Sequence, residues 1–239
     1  RKTIQGGKFD DELRGAVVDK WKTQLGAKPV FVRSSSNSED LPNFSGAGLY
    51  SSVANVREED KVIEGVKRVW ASIWNFQAYE ARVRNYISQS DVYMSALVQV
   101  GVDMERGGVM ITKDPFDDRN RNAVYISAVC GHNSKVVDNT GIPEQILFNP
   151  KSNSVIVMTL SQQENALAFD ENGDLKVTAD KCAATATKRV LNDAQARSLA
   201  KAAINIRGAF GGKKEQDIEW GIIGKRIYIV QSRPYIDKR

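Results

Sequence analysis

Imidazole and thiol chemistry have little to work with in this chain. Among its 239 residues His132 is the one histidine, and Cys130 and Cys182 are the two cysteines. No Ser/His/Asp set can be assembled without His132, and no Cys/His nucleophile pair has support, so hydrolytic and acyl-transfer chemistries fit poorly. The cysteines have neither metal-ligand spacing nor a disulfide framework, which predicts two small buried residues in a reduced compartment. No apolar run approaches membrane-spanning length and no signal peptide is visible, so the expectation is a cytoplasmic protein with no membrane partner. A run of lysine and arginine is missing too, and with it the signature of a nucleic-acid binder. The 34 basic and 29 acidic residues are spread along the chain for a net charge of +5, a balance that equally suits a binder of phosphorylated small molecules. There is no internal repeat and no low-complexity linker. A hydrophobic content of 41% is enough for one large domain or two lobes. The chain starts at Arg1 rather than Met and is expected to be a piece of a longer protein.

The most informative stretch runs from Gln216 to Pro234. Two short runs rich in β-branched and aromatic residues flank Ile223-Gly224-Lys225 and predict a β-hairpin. Strand side chains alternate between faces, so Asp217 and Glu219 share one face while Ile218, Trp220 and Ile222 point the other way. A three-residue turn would put Asp217 opposite Gln231 and Glu219 opposite Ile229. Arg233 would then follow Gln231 on the polar side, with Tyr228 and Val230 on the apolar side. One face thus gathers two carboxylates, an amide and a guanidinium, which are hard oxygen ligands for Mg²⁺ and a cationic fork for phosphate oxygens. The bland alternative is a hairpin with one wet face.

Earlier in the chain, Leu13, Val17, Val18, Trp21 and Leu25 recur at helical spacing from Asp10 to Leu25, closed by Gly26. Pro29 to Arg33 reads as a buried strand running into the hydroxyl-rich Ser34–Asp40. A charged fork followed by small donors suits phosphate oxygens. The glycine-rich Asn43–Gly48 follows at once and can bring backbone N–H groups close to a phosphate; a surface turn is the alternative for each loop. Asp60 to Ile87 reads as one long helix, its flanks carrying Lys67, Arg68, Glu80, Arg82 and Arg84, with Trp70 and Trp74 in the core. Tyr93–Val100 is a predicted strand and Gly107–Thr112 its hairpin partner. Strands are further expected over Ala123–Val129, Ile146–Phe148 and Ser154–Leu160, and a last helix over Asp193–Phe210, capped near Asn192-Asp193. The fold class is α+β. His132, beside a glycine, is read as structural or exposed.

With both ends in view, the chain resembles the nucleotide-binding domain of the dikinase family, an ATP-grasp-like, PEP/pyruvate-binding domain found in phosphoenolpyruvate synthase, pyruvate phosphate dikinase, glucan water dikinase and rifampin phosphotransferase. The residues that carry the resemblance are Val32–Leu41, Ser45–Tyr50, Gly108–Thr112, Asp217–Trp220 and Gln231–Pro234. It covers nearly all of the chain from about residue 10 onward. Asn37 and the run Ala47–Tyr50 look similar to the glucan dikinase branch. The resemblance implies an ATP-grasp-like fold of antiparallel sheets with packed helices and a truncated N-terminal lobe. It implies one nucleotide-binding region of two lobes: a phosphate-loop lobe over about 1–92, and a lobe with hinge, sheet and metal-binding hairpin over about 93–239. It also implies ATP and Mg²⁺ as cofactors, and as partner a phosphohistidine domain of the same parent, whose histidine takes the phosphate.

Carried over by position, Arg33 and Arg233 would be catalytic, at the phosphates. Ser34, Ser45, Gly46 and Gly48 would line the phosphate loop, and Gln99 and Val100 would read the adenine edge. Asp217 and Glu219 would face the metal, with Gln231 beside them. The chain also departs from the family. The family's Gly-x-Gly-Glu segment is Gly131-His132-Asn133-Ser134 here, without the carboxylate. The family's early lysine has no counterpart, since Gly6-Gly7-Lys8 stands too close to Arg33. His132 lacks the Thr-Ser-His context of a phospho-acceptor. These departures define the rival expectation, a degenerate non-catalytic nucleotide-binding or regulatory module. A glucan water dikinase-like acceptor is the alternative to a pyruvate-type one.

Overall fold

In the computed structural model of the chain, residues 1–41, 44–46, 48–120, 122–180, 182 and 189–237 are described, Asp40 and Ser45 by backbone alone. Asn43 and Ala47 of the glycine-rich loop lie outside them. The fold is a mixture of helices and antiparallel sheets divided into two compact units: Arg1–Gly101 with Phe169–Leu175, and Val102–Ala168 with Lys176–Arg239.

The first unit opens with α1 (Lys2–Gly6) and α2 (Asp11–Leu25). The Asp10 carboxylate caps α2 by accepting from Leu13 N, and Gly26 ends it in the left-handed conformation, φ +65°, where glycine carries no Cβ penalty. Strand β1 (Val30–Ser36) is followed by the two-residue strands β2 (Asp40–Leu41) and β3 (Phe44–Ser45), and then by β4 (Val53–Val56). Helices α3 (Glu59–Ser72) and α4 (Phe76–Arg84) precede β5 (Met94–Val100). The main sheet has the order β4-β1-β5. Its buried face, Val30, Val32 and Val56, packs on Trp21 of α2 and on Val62, Val66 and Val69 of α3.

The single long helix expected over Asp60–Ile87 is therefore two helices, broken at Ile73-Trp74-Asn75. Asn75 is extended (φ −61°, ψ 142°), and the Arg82 guanidinium donates to the carbonyl of Ile73 at 2.8 Å. Arg82, expected on a solvated flank, is fully buried. Its other hydrogen bonds run to Gln89 Oε1 at 2.9 Å and Tyr50 OH at 3.5 Å, and Trp74 covers it at 5.8 Å from the ring centroid. A break in the helix leaves carbonyls that need donors, and a buried arginine supplies one. Trp74 is partly exposed rather than core, while Trp70 stacks on Phe9 at 5.3 Å.

The second unit contains β6 (Arg106–Ile111), β7 (Val124–Cys130), the short α5 (Ser134–Val137), β8 (Glu144–Asn149) and β9 (Ser154–Thr159). These are followed by β10 (Asn165–Phe169), β11 (Leu175–Ala179), α6 (Asp193–Ala209), β12 (Gln216–Ile223) and β13 (Arg226–Pro234). Six strands form one sheet in the order β13-β12-β6-β7-β8-β9. Every residue of β7 is buried, as expected at a sheet's centre. Helix α6 starts with a capping box between Asn192 and Gln195 and lays Ala196, Leu199, Ala200 and Ala203 against Ile126, Ile146, Ile218 and Trp220. The fully buried Glu144 carboxylate holds the approach to α6, accepting from Arg189 Nε, Val190 N and Leu191 N at 2.7–2.9 Å.

Two further expectations are corrected. β6 is not the hairpin partner of β5: β5 pairs with β1 over seven residues, while β6 pairs with β12 and β7. Adjacency in sequence does not decide pairing where the chain passes from one compact unit to the next. Cys130 and Cys182 are joined in a disulfide, with Cα atoms 5.8 Å apart across a sequence separation of 52. Pairing at that range is tertiary and leaves no trace in local spacing. Among the described residues no helix is long and apolar enough to cross a membrane.

Candidate functional site

The β12–β13 hairpin is the best-defined part of the candidate site. Its turn has two residues, Gly224 (φ +57°) and Lys225, with Ile223 opposite Arg226. This is one residue shorter than expected, which alone would exchange the faces of β13. A bulge at Val230 adds one residue back: Trp220 faces Ile229, but Glu219 faces Gln231 and Asp217 faces Arg233. The two shifts together preserve parity, so Asp217, Glu219, Gln231 and Arg233 still share one face, although each pair differs from the register expected. Ile218, Trp220 and Ile222 are buried on the other face. There Ile227, opposite Ile222, joins the core, and Tyr228, expected on the apolar side, is opposite Gly221.

Arg233 donates from Nε and Nη2 to Asp217 Oδ2 at 2.9 and 2.7 Å. Both bonds fall on one oxygen, so Oδ1 stands outside the pair. Glu219 Oε2 accepts from Asn133 Nδ2 at 3.3 Å. Burial, and then the charge of Glu219, push the Asp138 carboxyl above its ordinary value. Behind this face β12 is tied to β6. The Thr112 hydroxyl donates to Glu215 at 2.6 Å and accepts from Gln216 N at 2.8 Å. Gly108 lies between Trp220 and Ala128 in register; a Cβ there would stand 1.9 Å from Ser127 O and 2.8 Å from the Trp220 ring. Two carboxylates and a side-chain amide are a hard-oxygen donor set, the kind that Mg²⁺ takes, and the residues fit that ion.

In the first unit, Arg33 and Ser34 lie on β1 opposite Leu97 and Ala96 of β5. Gln99 and Val100 pair with Phe31 and Val30 through one edge of β5, and no strand among the described residues covers the other. The serine-rich loop is braced from below: the buried Ser38 hydroxyl bonds Tyr50 OH at 2.9 Å and Ser36 Oγ at 3.0 Å, and Tyr50 meets Arg82. Asn37 pins the loop to Asp91 O and Tyr93 N, both at 2.8 Å. Gly46 donates to Glu39 O at 2.6 Å, and a side chain there would press on Glu39 Cα at 3.1 Å. Gly48 has φ +75°. The Ser45 side chain is outside the described residues.

His132 is buried, with Nδ1 2.8 Å from Ser134 Oγ. Ser134, where the carboxylate was missed, is thus turned to its own neighbour. Asn133 and Asp138 were not anticipated as site residues, Thr112 entered only as the end of the Gly108–Thr112 block and Arg82 only as a flank charge. The Gly131–Ser134 departure pointed to a loss rather than to the Asn133 contact.

The model of the pyruvate phosphate dikinase AMP/ATP-binding domain matches residues 1–238. Among curated relatives, a phosphoenolpyruvate synthase of Pyrococcus furiosus is 35% identical over 86% of this chain and 26% of its own length. A probable phosphoenolpyruvate synthase of Archaeoglobus fulgidus is 33% identical over the same shares. A rifampicin phosphotransferase of Streptomyces sviceus is 31% identical over 98% of the chain and 26% of its own. The chain spans about a quarter of the length of these relatives.

Proposed function

The chain belongs to the family of the pyruvate phosphate dikinase AMP/ATP-binding domain, and from that premise we propose that it binds ATP with Mg²⁺ and presents the phosphate chain to a histidine of a partner domain in the same parent protein. The observation that carries this reading is the shared face of Asp217, Glu219, Gln231 and Arg233 on β12 and β13. Asp217 and Glu219 would hold Mg²⁺, with Gln231 beside them; the ion, when bound, neutralises charge on the phosphate oxygens. Arg233, braced on Asp217, holds that carboxylate in one orientation and lends positive charge to the phosphate end. Arg33, Ser34 and the backbone of the Ser45–Gly48 loop are matched to phosphate oxygens, and the outer edge of β5 near Gln99 and Val100 to an adenine edge. Such a transfer depends on alignment and charge neutralisation rather than on a protein base, which fits fixed charges on strands. The relatives are named for different reactions, one class for phosphoenolpyruvate synthesis and another for phosphotransfer to rifampicin. That fits an ATP domain that supplies phosphate while the acceptor is selected elsewhere in the parent.

One observation favours the rival, a module that retains the fold without catalysis: Ser134 replaces the family carboxylate and is engaged with His132. Calorimetric titration of the intact protein with a non-hydrolysable ATP analogue tests binding, and assay of phosphohistidine formation with ATP itself separates the two. Micromolar to millimolar binding that strengthens with Mg²⁺ and weakens in Glu219→Gln is expected. Absence of nucleotide binding overturns the proposal, and binding without transfer to a histidine leaves the rival. Normal melting with normal turnover in Arg33→Ala would remove Arg33 from the phosphate role.

A further inference from the structure

Asn133 stands at the N-cap of α5, a position where asparagine ordinarily turns its side chain back onto the helix. It makes no such cap bond. Buried to 3% exposure, it sends Nδ2 across to Glu219 Oε2 instead. A carboxylate only accepts, so the NH₂ end of the amide must face it.

The backbone around Asn133 is fixed from two sides. Gly131, at φ +82°, forms a bridge to Leu167, and His132 N donates to Leu167 O at 2.8 Å. A Cβ on Gly131 would lie 2.4 Å from that carbonyl. On the other side Asn133 rests over Gly107 of β6, where a Cβ would lie 2.8 Å from Asn133 N and 3.0 Å from its Cβ. A glycine on β6 therefore opens the space that lets the amide reach the neighbouring strand β12. A buried, rigidly mounted polar group that forgoes its local partner for a distant carboxylate is placed to orient that carboxylate.

We infer that Asn133 is a positioning residue for Glu219: its amide holds the carboxylate in one orientation for cation coordination. The inference rests on the reading of Glu219 as a Mg²⁺ ligand. Neighbours that orient a ligand in this way typically change metal affinity by about 10- to 100-fold when lost. Asp138 also acts on Glu219 electrostatically, so an acceptor at position 133 would add a third negative group where the chain places a donor.

The test uses the intact protein, with adenylyl imidodiphosphate as probe and Mg²⁺ titrated at fixed nucleotide. Wild type is compared with Asn133→Asp, Asn133→Gly, Glu219→Gln and the double variant Asn133→Gly/Glu219→Gln. Asn133→Gly removes the side chain outright and keeps the test open if Asn133→Asp does not fold. The expected result is a loss of Mg²⁺ affinity of about tenfold or more in the Asn133 variants, with metal-free nucleotide binding within twofold and no added effect of Asn133→Gly in the Glu219→Gln background. Unchanged Mg²⁺ dependence overturns the inference. An equal loss of metal-free and Mg²⁺-dependent binding, or a full added loss in the Glu219→Gln background, also overturns it by making Asn133 merely structural. If wild type itself shows no Mg²⁺-dependent binding, the reading of Glu219 falls first, and the inference with it.

Discussion

Replacing Arg233 with methionine keeps most of the side chain's hydrocarbon and removes both hydrogen bonds to Asp217 Oδ2. The two side chains are 25% and 18% exposed, which places the pair between surface ion pairs, worth about 0–1 kcal/mol, and buried ones, whose disruption costs about 3–5 kcal/mol. Charge-assisted bonds contribute about 1.5–3 kcal/mol. Arg233→Met should therefore destabilise the second unit by about 2 kcal/mol, mostly because a part-buried carboxylate loses its partner. Asp217→Asn should cost less, since an amide leaves no stranded negative charge. The double variant should recover part of the sum, with a coupling of about 1.5 kcal/mol in the mutant cycle. Urea denaturation followed by tryptophan fluorescence is the assay, because Trp220 is the one tryptophan of that unit and lies fully buried on the same strand. A coupling below about 0.5 kcal/mol, the level of ordinary additivity, would refute the pairing as an energetic unit.

Further outcomes follow from the packing. Gly108→Ala should abolish folding of the second unit, since backbone at 1.9 Å cannot be relieved by a rotamer as ordinary overpacking of about 1–3 kcal/mol is; a cooperative melt near wild type would count against it. Arg82→Ala should cost about 3 kcal/mol in chemical denaturation by emptying a buried site and stranding the Ile73 carbonyl, and a change within error would return Arg82 to the surface. Asp138 has a raised folded pKa, so its stabilising contribution is present below the ordinary carboxylate value and lost as pH rises through the folded one. Asp138→Asn should accordingly raise the melting temperature at pH 7, with the gap closing below about pH 4; a gap independent of pH would contradict the shift. Reducing Cys130–Cys182 should lower stability by about 4 kcal/mol on a chain-entropy account of its loop, and two free thiols in unreduced, denatured protein would contradict the bond.

Much of the hairpin was legible in the sequence because strand parity is a local property. Alternation sorts Asp217 and Glu219 from Ile218 and Trp220 without knowledge of the partner strand, and an even error in register leaves that sorting intact. Pairing itself was not legible. β5 and β6 are neighbours in the chain, yet each found its partner elsewhere, β5 with β1 and β6 with β12 and β7. The break at Ile73–Asn75 was hidden because apolar spacing continues through it, while the arginine that stabilises it reads as an ordinary flank charge. Asn133 was hidden for the same reason: its partner is 86 residues away, and only the fold brings them together.

The extra residue at Val230 ties two events in the gene together. A codon gained in the Gly224-Lys225 turn, or a codon lost at the bulge, would each by itself swing Gln231 and Arg233 onto the hydrocarbon side. Made together they would cancel, and the polar face would survive with a different loop. Single insertions and deletions should thus be purged from this hairpin, while compensated pairs pass.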